Sequence, residues 1–95
     1  MLELRFAPDA NADLRRLHSF IADLNPDAAD RLLIAIQDHI DLLCTAPGIG
    51  RPYDTERDIR DAVVIFSNTG YIVRYRVFDD YLLVVRIWSG REDRP

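Results

Sequence analysis

The sequence predicts an α+β fold of order β-α-α-β-β-β, an antiparallel sheet with a helical hairpin packed on one face. Three observations predict it. Apolar residues recur at helical spacing in two stretches between residues 8 and 46. From "AVVIF" onward the pattern changes to β-branched and aromatic runs divided by turn residues. Between the two helical stretches stands only Asn25-Pro26, a link so short that the helices must fold back on each other.

Each element follows from its residues. "LELRF" alternates, with Leu2, Leu4 and Phe6 on one face, and reads as a first strand that adds at a sheet edge. Pro8 and Asp9 suit a helix start, and Leu14, Leu17, Ile21 and Leu24 form one apolar stripe after it. Asn25 then serves as N-cap and Pro26 as first helical residue of a second helix, about 26–46. That helix buries Ala29, Leu33, Ile36, Ile40 and Leu43 and shows Asp27, Asp30, Asp38 and Asp41 on its other side. "PGIGRP" packs two Pro and two Gly into six residues and reads as irregular chain. It lacks the Lys and following helix of a phosphate-binding loop. "AVVIF", "YIVRYRVF" and "YLLVVRIW" are the remaining strands, with "SNTG" a turn.

Composition bounds the rest. The 95 residues make a single domain, 1–95, with 48% apolar residues and no run near the roughly 20 needed to span a bilayer. The N-terminus meets charge at once and does not read as a secretory signal. One cysteine, Cys44 among Leu42, Leu43 and Ala46, leaves no internal disulfide and no Cys-based metal cage; it reads as a small buried residue. No His/Asp/Glu spacing makes a metal site and no cofactor motif is present, so none is expected. All twelve basic residues are Arg. Residues 1–50 hold four Arg against eight acids, and residues 51–95 hold eight against eight. The acidic half excludes a simple DNA-coating role, and no sequence-specific DNA binding or membrane contact is expected.

The last hairpin fixes the candidate surface. Arg74, Arg76 and Arg86 interrupt apolar runs. In a register with an odd number of intervening residues, Arg74 faces Arg86, Ile72 faces Trp88 and Arg76 faces Val84. The reverse face is then Tyr71, Val73, Tyr75, Val77, Leu83, Val85 and Ile87, wholly apolar or aromatic. Segregated faces select this register, because burying an unpaired guanidinium costs several kcal/mol. Arg74, Arg76 and Arg86 are thus expected to share the face away from the helices with Trp88. Arg74 opposite Arg86 is a like-charge pair that an anion, an acidic partner or nearby carboxylates would relieve.

The same residues carry a resemblance. "PGIGRP" after the second helix, an Arg-containing link, "YIVRYRVFDDYLLVVRI" and the closing "SGRED" are similar to the ParE/RelE superfamily of bacterial type II toxins, nearer the ParE branch. With the element order, the similarity covers essentially the whole chain. It implies a RelE/ParE-like fold and a small cytoplasmic toxin, silenced by a cognate antitoxin, ParD-like or similar, that folds around it. ParE-like members are associated with poisoning DNA gyrase, and RelE-like members with cutting messenger RNA in the ribosome. A degenerate member would bind only its antitoxin.

Local chemistry separates these alternatives. RNA cleavage through the 2′-OH needs a proton acceptor, a proton donor and cations for the developing charge. Arg57, Arg60, Arg74, Arg76, Arg86 and Arg91 supply cations. His18 and His39 lie in the helices and read as partly solvated. Many relatives carry histidine where Ser89 stands, and no tyrosine follows Tyr81. Tyr53, Arg57 and Arg60 are the candidates left for catalysis. The balance favours inhibition of gyrase by binding, without enzymatic activity, through Arg74, Arg76, Arg86, Trp88 and Arg91. Ribosome-dependent endoribonuclease activity is the alternative.

Overall fold

The structure, a computed structural model, describes residues 1–92. Strand β1 (Glu3–Phe6) leads into helices α1 (Pro8–Ala22) and α2 (Pro26–Thr45), followed by strands β2 (Arg51–Asp54), β3 (Ile59–Phe66), β4 (Thr69–Val77) and β5 (Tyr81–Ser89). The sheet order is β1-β5-β4-β3-β2. β1 lies at an edge and runs parallel to β5, while the other neighbours are antiparallel. Two helices on a five-stranded mixed sheet give the expected α+β class.

The helices begin where their capping residues stand. Asn25 Oδ1 accepts the Ala28 N–H at 3.1 Å, and Pro26 follows at the first helical position, where no N–H is needed. α1 opens on Pro8 without a side-chain cap and ends at Ala22, so Leu24 lies beyond it and is exposed. In α2 the buried side chains are Ala29, Leu32, Ile36, Ile40 and Leu43, with Leu33 only half-buried. The predicted stripe was one residue off at that turn.

"PGIGRP" is more ordered than its Pro and Gly content predicts. A single 3₁₀ turn over Pro47–Ile49 leads into β2, which pairs Arg51 with Asp61 and Pro52 with Arg60. Proline tolerates this place because β2 is an edge strand, where an N–H directed at solvent has no ladder partner to lose. The Tyr75 hydroxyl locks the turn: it donates to the Pro47 carbonyl at 2.7 Å and accepts the Gly50 N–H at 2.9 Å. A Cβ on Gly50 would lie 2.4 Å from that hydroxyl, so only glycine fits. Arg60 adds hydrogen bonds to the Gly48 and Gly50 carbonyls.

The β4–β5 register matches the expected one at Arg74↔Arg86 and Ile72↔Trp88. A bulge between Arg74 and Tyr75 then shifts it, so that Val85 is the extra residue and Arg76 pairs with Leu83, not Val84. In consequence Leu82 and Val84 enter the core, and Leu83 and Val85 are half-buried. The core joins Leu17, Leu32, Ile36, Ile40 and Leu43 of the helices to Val64, Tyr71, Val73, Tyr75, Leu82, Val84 and Ile87 of the sheet. Each such side chain contributes about 1.5–3 kcal/mol of burial. Cys44 is buried beside them, and burial, with Asp41 adding to it, pushes its thiol pKa up.

Candidate functional site

β1 pairs with β5 only as far as Val84, so beyond that point the β5 edge has no strand beside it among the described residues. Helix α1 replaces the missing strand with side chains. Asp13, 2% exposed, accepts the Ile87 N–H at 2.8 Å, and Arg16 donates to the Ile87 carbonyl at 3.3 Å. Asp13 also accepts from Arg16 at 2.6 Å and from Arg86 at 2.9 and 3.1 Å. Glu92 closes the chain of charges, accepting from Arg16 and from the Ser89 N–H, each at 2.8 Å. Burial by itself would raise the Asp13 carboxyl pKa. The hydrogen bonds from Arg86, the Ile87 amide and Arg16 outweigh it and hold the carboxyl below its ordinary range.

Arg86 is thus a correction to the expected surface. Its backbone stands opposite Arg74, but its guanidinium is bound to Asp13 of α1 and does not project from the uncovered face. The open β5 edge lets a long side chain reach the helix, and a buried carboxylate there requires cations. The three arginines therefore divide. Arg74 remains on the uncovered face, forked onto Asp61 at 2.8 and 3.0 Å and 12% exposed. Its guanidinium lies 3.5 Å from the Tyr53 ring centre and 5.0 Å from that of Trp88. The like-charge pair is relieved from within, each arginine taking its own carboxylate. Arg76 donates to the Arg57 carbonyl at 3.0 Å and covers the Phe78 ring.

Trp88 lies on the expected face but is only 4% exposed. It floors a shallow depression of about 320 Å³ with Val63, Ile72 and Gly90, rimmed by Arg51, Asp61 and Glu92. Arg91 lines a separate hollow at the α1 side with Phe20, Leu24 and Tyr71. Of the residues considered for catalysis, Arg60 is occupied by loop carbonyls and Asp58, Arg57 is exposed beside Asp54, and Tyr53 supports Arg74. His18 is half-buried on the helices, 2.9 Å from Asp30. The uncovered face therefore brings together Tyr53, Asp61, Arg74 and Trp88, and leaves Arg86 and Arg91 elsewhere. Asp13 escaped the sequence reading, although it falls with Ala10 and Leu17 on the buried stripe of α1. An acid at that spacing was the available signal.

Among the described residues, Arg51, Arg76 and Arg91 have no ion-pair partner. Chemically, the face offers a rigid aromatic–guanidinium platform and a shallow hollow with Arg51, Asp61 and Glu92 at its margin.

Residues 4–94 match the family described as the ParE toxin of the type II toxin–antitoxin system parDE. The chain is 30% identical over 94 residues to "Toxin RelE3" of Caulobacter vibrioides, covering 99% of this chain and all of that one. It is 35% identical over 86 residues to "Toxin RelE1" of the same organism, covering 90% and 89%. A solved structure described as the chromosomal ParDE TA system from P. aeruginosa shares the fold, with a TM-score of 0.72 at 22% identity, covering 92% of this chain and 94% of that one.

Proposed function

This chain belongs to the ParE toxin family of type II toxin–antitoxin systems, and we propose that it acts in the cytoplasm by binding DNA gyrase, without covalent chemistry. Membership of the family implies a cognate antitoxin as partner. One observation carries the choice of binding over cleavage. The best-placed guanidinium of the uncovered face, Arg74, is already neutralised by Asp61 and immobilised between two rings. A phosphoryl-transfer site needs cations free to meet developing charge and a proton carrier beside them. A docking surface needs rigid aromatic and Arg anchors, which the Tyr53–Arg74–Trp88 stack supplies. Arg51 and Arg76 on that side, and Arg91 at the separate hollow beside α1, are the cations without an ion-pair partner among the described residues that an acidic target surface could meet.

The two Caulobacter relatives are named RelE toxins, and the resemblance to RelE-like members supplies the second reading, messenger-RNA cleavage in the ribosome. One experiment separates the two: induced expression, read by supercoiling with purified gyrase and by mapped messenger-RNA ends. Altered topology with intact transcripts is expected. Codon-positioned cuts with normal topology would reverse the assignment.

A further inference from the structure

We propose that the open edge of β3 pairs with the same edge of a second copy of this chain, making a two-fold dimer through a continuous sheet. β2 covers β3 only at Ile59–Asp61, and among the described residues nothing pairs with the outer edge of residues 62–66. Those five residues, "AVVIF", carry no charge. Val63 and Ile65 are 55% and 70% exposed on the face away from the helices. A bare, flat, apolar edge is a template for strand pairing.

The hydrogen-bond phase selects the partner. Phe66 and Thr69 close the two-residue β3–β4 turn, so Phe66, Val64 and Ala62 exchange their backbone bonds with β4. The N–H and C=O groups of Val63 and Ile65 therefore point outward, unpaired. An antiparallel copy centred on Val64 sets Val63 against Ile65 of the partner, and Ile65 against its Val63. Four hydrogen bonds then satisfy every outward group of both segments. The same register stacks the aliphatic Val63 and Ile65 side chains across the seam on one face and keeps both helical layers on the other. The partner strand ends at its tight turn opposite Asp61, where β2 begins, so the pairing fills the open length without displacing β2. Charge also selects this edge, because the chain is net negative and a second copy approaching acidic α2 would be repelled. Five residues a side make a small interface, so a dissociation constant of about 10–100 µM is expected.

Sedimentation of the isolated chain from about 5 to about 300 µM tests it, beside two variants of the edge and one control. The wild type should shift from monomer to dimer, with the Val63 and Ile65 amides becoming slow to exchange only at high concentration. Ile65→Lys, at an exposed position, should stay monomeric with unchanged circular dichroism. Ile65→Pro withdraws one outward N–H without adding charge and should also stay monomeric. Ile34→Lys, exposed on α2, should dimerise as the wild type does. A wild type monomeric throughout would overturn the proposal, as would a dimer that survives either edge variant or is lost in the α2 variant. A monomer whose antitoxin binding is weakened by Ile65→Lys would assign the edge to an antitoxin strand instead. None of these results bears on gyrase, so the functional reading stands or falls separately.

Discussion

Removing the Asp13 carboxylate leaves the Arg86 guanidinium and the Ile87 N–H without their acceptor, while Arg16 keeps Glu92 and the Ile87 carbonyl. Leaving a buried donor such as the Ile87 N–H unsatisfied costs about 1–3 kcal/mol, whereas the partly exposed guanidinium groups regain water. Asp13→Ala should lower the unfolding free energy by about that amount in a denaturant titration. The pH dependence has a definite sign. The folded-state pKa of Asp13 is depressed, so its contribution is fully present above the unfolded value of about 3.9 and is lost as pH falls through the folded value. Asp13→Asn should therefore fall short of the wild type at neutral pH, and the gap should narrow below about pH 4. A constant gap would assign the loss to packing. Arg86→Ala should behave like the Asp13 variants and destabilise. Arg76→Ala with Arg91→Ala should leave the melting temperature within a few degrees and weaken toxicity if the free cations meet the target. Unchanged toxicity would remove both from the contact set.

Local elements were legible where alternation is interrupted by residues of opposite character. Arg74, Arg76 and Arg86 segregate the faces of the last hairpin, which is enough to set Arg74 against Arg86. The bulge at Val85 left no such mark, since "YLLVVRIW" is apolar at each position from Leu82 to Val85. β2 was hidden by its Pro52 and by Gly48 and Gly50 just before it, which signal a loop unless an edge strand needs no N–H there. Asp13 and Arg86 lie 73 residues apart, so no spacing rule connects them. The direction of Arg86 depends on β1 stopping at Val84, a fact of tertiary structure. Two substitutions test these elements. Gly50→Ala drives a methyl into the Tyr75 ring and hydroxyl and should cost about 1–3 kcal/mol by overpacking. The β3–β4 turn holds Ser67 at φ 51° and Asn68 at φ 63°, a conformation that Asn-Gly adopts more readily. Ser67→Asn with Asn68→Gly should raise stability by about 0.5–1 kcal/mol in the same titration.

Across the whole molecule, charge and apolar exposure divide the surface between two kinds of partner. The acid excess belongs to residues 1–50, which form β1 and the helical hairpin. On the hairpin Phe20, Leu24, Ile34 and Leu42 are exposed, more than solvation alone explains. An amphipathic segment with Arg or Lys beside its apolar stripe fits that surface, and the antitoxin is the partner to supply it. The balanced, arginine-bearing sheet side then remains for the target. Two contributions to antitoxin binding follow and separate kinetically. Opposite charge steers the encounter, and apolar burial holds the complex. Raising salt from about 0.1 M to about 1 M shortens the screening length from about 10 Å to about 3 Å. The association rate should then fall about tenfold while dissociation changes by less than about threefold, measured by surface plasmon resonance. Leu24→Ser, at the exposed end of the hairpin, should do the reverse: faster dissociation and an unchanged salt slope. Association insensitive to salt would mean that charge does not steer the encounter, and the assignment of the antitoxin to the acidic side would be lost.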